Sequence, residues 1–125
     1  MAAGTVNISL EQGATYRQRL RWLQPVDPST PDATPVPYDL SGCTAHMQIR
    51  TKVNAPVLIE LYDGDGITLG ADGVIDLVIT SERTMLLELK KAVYDLYVNF
   101  PGGDSLRVIQ GAVTVSLTVT DPVVI

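Results

Sequence analysis

Residues 92–120, AVYDLYVNFPGGDSLRVIQGAVTVSLTVT, alternate apolar and polar positions on both sides of one tight turn, and this pattern constrains the chain more than any other stretch. In the first arm Tyr94, Leu96, Val98 and Phe100 share one face, opposite Val93, Asp95, Tyr97 and Asn99. In the second, Val113, Val115, Leu117 and Val119 alternate with Ala112, Thr114, Ser116, Thr118 and Thr120. A period of two marks a half-buried strand. Pro101, Gly102, Gly103 and Asp104 supply the reversal, so the stretch predicts a long β-hairpin. The small-residue face of the second arm is expected to lie against another layer or another subunit.

The same alternation recurs along the chain. Val6, Ile8 and Leu10 share a face before Gly13, which suits a turn. Tyr16, Leu20 and Trp22, with Gln18 among them, stand opposite Arg17, Arg19 and Arg21, so one strand face carries a basic stripe. Ala45, Met47 and Ile49 alternate with Thr44, His46, Gln48 and Arg50. A short strand with two partly buried faces is expected around Val57, Ile59 and Leu61, and another at Ile67–Leu69 between Asp-Gly turns. A further strand at 74–80 points Ile75, Leu77 and Ile79 inward. Ser81 is placed to cap a helix running to about Lys90, with Glu82 in its first turn and Lys90 and Lys91 at its end. Residues 24–39, QPVDPSTPDATPVPYD, hold five of the eight prolines and show no period, so they read as a long surface loop, equally a contact or a passive insertion.

About eight or nine short strands at this spacing, with one short helix, predict an all-β fold, an immunoglobulin-like β-sandwich. The 125 residues fit one domain, 1–125, with the proline-rich loop as its irregular segment. Charged residues are 18% against 46% hydrophobic, a thin charge cover that fits a surface facing other proteins. A net charge of -5 disfavours sequence-independent nucleic-acid binding. With a single cysteine, Cys43, the chain holds no intrachain disulfide. It shows no basic leader followed by an apolar run and no apolar stretch of membrane-spanning length, so a soluble chain without a secretion signal is expected.

No catalytic arrangement stands out. Asp63, Asp65 and Asp72 are the nearest approach to a calcium loop, but Ile67 occupies a ligand position, the closing glutamate is missing, and two Asp-Gly turns account for the same residues. His46 lacks neighbouring cysteines or patterned acids, which leaves it a solvated or interface residue. Cys43 reads as a structural thiol. Tyr16, Trp22, Tyr94 and Phe100 fall on apolar faces and read as core. The stripe of Arg17, Arg19 and Arg21 reads either as a solvated face paired with acids such as Asp76 or Asp95, or as a docking face for an acidic partner.

Three segments in this order, VNISLEQGATYRQRLRW, YDLSGCTAHMQIR, and YDLYVNF followed by LRVIQGAVTVSLTVT, resemble small virion structural proteins of tailed bacteriophages. They are more distantly similar to the N-terminal sandwich of phage baseplate upper proteins. The resemblance spans nearly the whole chain, and its elements are structural. Two departures stand out: the proline-rich 24–39 stretch replaces a short polar turn, and Cys43 stands where such proteins often carry tyrosine. The resemblance implies a non-enzymatic component of the tail or baseplate, located in the virion, without cofactor or metal. Its expected partners are other virion proteins and copies of itself in a symmetric assembly, with neither nucleic acid nor membrane among them. A head decoration or neck protein is the alternative, and a carbohydrate- or receptor-binding module a further one. The apolar tail Val123, Val124 and Ile125 is expected to be buried against a partner, together with the arginine stripe.

Overall fold

The computed structural model describes residues 4–23 and 36–119. They form nine strands and one short helix: β1 (Gly4–Thr5), β2 (Ile8–Glu11), β3 (Tyr16–Arg21), β4 (Thr44–Arg50), β5 (Val57–Asp63), β6 (Gly66–Leu69), β7 (Val74–Ile79), α1 (Ser81–Met85), β8 (Lys91–Asn99) and β9 (Ser105–Ser116). The fold is all-β with one short helix, as the alternation predicts. Hydrogen bonding does not divide the strands into two immunoglobulin-like layers. It runs through one curled sheet in the order β1-β9-β8-β4-β5-β6-β7-β3, with β2 also on β9.

Burial follows the period of two. Ile8, Leu10, Met47, Ile49, Leu61, Ile67, Ile75, Leu77, Ile79 and Leu96 are all at most 1% exposed, so the inner face of the curled sheet forms a single core. Burying a side chain of this kind contributes about 1.5 to 3 kcal/mol, and the core therefore holds the register of every strand that feeds it. The hairpin of β8 and β9 pairs Lys91 with Thr114 through to Asn99 with Ser105. Gly103 adopts φ 97 in its turn, and the Phe100 amide donates to the Asp104 carbonyl at 2.8 Å to close it. A register shift between Leu96 and Tyr97 inserts an extra β9 residue and lets both Val108 and Ile109 be buried.

Three expectations need correction. Strand β9 ends at Ser116, and Leu117 and Val119 are exposed rather than continuing the apolar face. Of the two covers expected for the small-residue face, another layer or another subunit, the first is not found among the described residues, where Ala112, Thr114 and Ser116 are exposed. The helix is capped by Thr80, whose side chain accepts from the Arg83 amide, and stops at Met85 instead of reaching Lys90. Its end has a tertiary cause. Leu87 is drawn fully into the core, while the Gln12 side-chain amide donates to the carbonyls of Met85 and Leu87 at 3.4 and 3.1 Å, occupying acceptors that a longer helix would use.

Candidate functional site

The arginine stripe lies on β3, the terminal strand of the sheet order. Tyr16, Leu20 and Trp22 turn toward the core, which by strand alternation sends Arg17, Arg19 and Arg21 outward, where all three are exposed. Arg19 faces Asp76 across the β3–β7 pair. Its Nε and one terminal nitrogen donate to the two carboxylate oxygens at 2.8 and 3.1 Å, a bidentate bond. This realises the pairing with Asp76 expected from the sequence, although the guanidinium remains 73% exposed and the pair is of the weakly stabilising surface kind. Arg21 donates to the Asp72 carbonyl at 3.2 Å. Among the described residues no carboxylate forms an ion pair with Arg17 or Arg21, so two guanidiniums of the stripe remain locally uncompensated. Arg17, Arg19, Thr68, Asp76 and Val78 line an open depression of about 400 Å³ beside them.

A second polar surface occupies the same outer side further along the sheet. Register places Tyr62, His46, Tyr97 and Arg107 in one row across β5, β4, β8 and β9, and Glu60, Gln48, Asp95 and Gln110 in the next. His46 stacks on Tyr62 with ring centroids 4.4 Å apart and planes 4° from parallel. Glu60 is the hub of the network. It accepts from the Tyr62 hydroxyl and from the Gln48 amide at 2.6 Å, and lies 3.4 Å from His46 Nε2. The Tyr62 bond chiefly, then that of Gln48, holds the Glu60 carboxyl below its ordinary pKa, and the same bond pushes the Tyr62 hydroxyl up. Arg50 donates to Gln48 Oε1 at 2.6 Å and to the Ala55 carbonyl at 2.5 Å, which fixes it along the floor of an open groove of about 680 Å³ bounded by Asn54, Tyr97 and Arg107.

Sequence reasoning missed this cluster because it treated His46 in isolation. The available signal was parity: His46, Gln48, Glu60, Tyr62, Asp95 and Tyr97 all occupy outward positions of their strands. Asp95, offered as a partner for the arginine stripe, instead approaches Arg107 at 3.9 Å.

The three aspartates of the calcium-like segment are committed separately. Asp63 accepts from the Ala45 amide, both carboxylate oxygens of Asp65 accept from one terminal nitrogen of Arg83, and Asp72 offers its backbone carbonyl to Arg21. Among the described residues no group of three histidine, cysteine or acidic side chains is placed to hold a metal ion. Cys43 is half-buried, and burial, with the charge of Asp39 adding to it, pushes its thiol up, away from the reactive thiolate. Tyr94 is buried, and Trp22, half-buried and stacked on Tyr38, packs against the core, as expected. Val123, Val124 and Ile125 lie outside the described residues.

The two surfaces differ in character. One presents guanidinium groups at a sheet edge, two of them without an ion pair among the described residues, the other a hydrogen-bonded row of rings and polar groups. No family model matches the chain, and no curated protein matches it.

Proposed function

We propose that this chain is a non-enzymatic structural component of a tailed-bacteriophage virion, a tail or baseplate assembly protein that docks an acidic neighbouring chain on its arginine face. The phage setting rests on the resemblance of its three segments to virion proteins. The observation that carries the docking role is the position of Arg17, Arg19 and Arg21 on the terminal strand, with only Arg19 bonded to a carboxylate among the described residues. Charge of this kind at an exposed edge steers and orients a partner of opposite sign. Copies of the chain in a symmetric assembly would repeat the contact. Cryo-microscopy of intact particles tests the reading: density for the chain in tail or baseplate, with the arginine face against another protein, is the expected result. A particle that lacks the chain overturns it, and density on the capsid or neck moves it to a decoration role.

A second reading, a saccharide- or receptor-binding module, draws on the row of Tyr62, His46 and Tyr97. Tyr62 and Tyr97 are 43% and 39% exposed, and polar groups of fixed orientation border them, the combination by which rings and planar side chains hold sugars. A glycan array hit lost on Tyr97→Ala supports this reading; a blank array removes it.

A further inference from the structure

Among the described residues, strand β3 has an unpaired backbone edge as well as an exposed row of side chains. It pairs with β7 on one side, and the sheet order places no described strand on the other. The phase of its hydrogen bonds follows from one bond at its end: the Trp22 amide donates to the Gly73 carbonyl at 2.8 Å. In an antiparallel pair, facing residues alternate between exchanging bonds and exchanging none. Leu20, Gln18 and Tyr16 therefore bond to β7, while Arg17, Arg19 and Arg21 direct their amides and carbonyls to the open side.

The inner face shows the same incompleteness. Ile75 and Ile79, which face Leu20 and Tyr16 across the pair, are 1% and 0% exposed. Tyr16, Leu20 and Trp22 are only half-buried although they pack on the same core. Among the described residues, one strand's width of apolar cover is lacking at this edge.

We infer that β3 accepts an added strand from another protein, an extended segment in which acidic residues alternate with apolar ones. This rests on the docking role of the arginine face and specifies its mode. The acids would sit opposite Arg17 and Arg21 on the outer face, and the apolar residues would cover Tyr16, Leu20 and Trp22 on the inner face. Backbone bonds supply attachment in such an arrangement, and the alternating side chains supply selectivity. A second copy of β3 is the wrong occupant, because antiparallel self-pairing sets arginine against arginine.

The test uses the full chain, isotope-labelled, and a synthetic peptide alternating glutamate and valine. Binding is expected to slow amide exchange at Arg17, Arg19 and Arg21 and to weaken as salt rises. Arg17→Pro removes an outward amide without an internal bond and is expected to weaken binding at least tenfold. The exchange measurement on the unaltered chain stands even where that variant folds poorly. Absence of binding, protection confined to the His46 and Tyr97 face, or full binding by a folded Arg17→Pro chain overturns strand addition. Particle assembly separates the two levels: if Arg17→Glu with Arg21→Glu blocks incorporation while Arg17→Pro does not, docking on the arginine face stands and strand addition falls. If neither change affects incorporation, the docking role falls with it.

Discussion

The indole of Trp22 stacks on the ring of Tyr38 with centroids 4.1 Å apart, and the Tyr38 amide donates to the Trp22 carbonyl at 3.0 Å. Together with the bridge between Leu23 and Pro37, this clamps the two ends of the proline-rich stretch side by side. The ends are held by the fold, whatever length of chain runs between them.

Replacing residues 24–35 with a short glycine-serine linker is therefore expected to change stability by less than about 1 kcal/mol, since closure entropy varies slowly with loop length. Trp22→Ala, which removes the clamp, is expected to cost about 2 to 3 kcal/mol. Urea unfolding of the two variants checks the contrast, and a large loss from the linker alone would show that the stretch itself supports the fold.

Gly73 is the narrowest point of the same region. It adopts φ 80, and a Cβ there would press on the Trp22 carbonyl and the Tyr38 amide. Gly73→Ala combines backbone strain with this clash, and a loss of about 3 kcal/mol or more is expected. Gly64→Ala is the control, because it shares a positive φ but meets nothing within 4 Å; thermal melts of both proteins separate strain from crowding.

Tyr94 donates its hydroxyl to the Val6 carbonyl at 2.5 Å. Burial, with a smaller contribution from Tyr16, pushes its pKa from 10.0 up to about 12. A raised folded value means that stability is complete below the unfolded pKa and is lost as pH rises toward the folded one. The chain is thus expected to lose about 2 to 3 kcal/mol between these limits. Tyr94→Phe, at a cost of about 1 kcal/mol at neutral pH, should flatten that alkaline decline in unfolding followed by circular dichroism.

Glu60 gives the opposite sign. Its carboxyl is lowered, first by Tyr62 and then by Gln48, so its contribution is present at neutral pH and fades as pH falls below the ordinary carboxylate range. Glu60→Gln is expected to flatten the acid side of the stability curve, and Tyr62→Phe to do so in part. An unchanged acid profile in both variants would show that the network is too solvated to matter.

Strand interiors were legible because alternation is local: Met47, Leu77 and Leu96 could be placed inward from their neighbours alone. The helix end was not, because it depends on Gln12 reaching the carbonyls of Met85 and Leu87 from far along the chain. The exposure of Arg17, Arg19 and Arg21 could be read from parity, whereas their place on the last strand required the strand order. The His46 cluster needed the register of β4 with β5 and β8, which no single stretch contains. Leu117 continued the apolar pattern yet is exposed, because the pairing that would bury it stops at Ser116.

Both β1 and β2 run parallel to β9, and the Asn7 side chain accepts from the Ala112 amide across 105 positions of sequence. Strands β1 and β2 are thus synthesised well before the strand they pair with. Local hairpins such as β8 with β9 close early, but the seam that seals Ile8 and Leu10 into the core carries the largest closure entropy among the described strand pairs. Closing that seam should be slow, on the millisecond-to-second scale of chains dominated by distant contacts. Until β9 is in place, Ile8 and Leu10 stay exposed to any chaperone or sticky surface they meet.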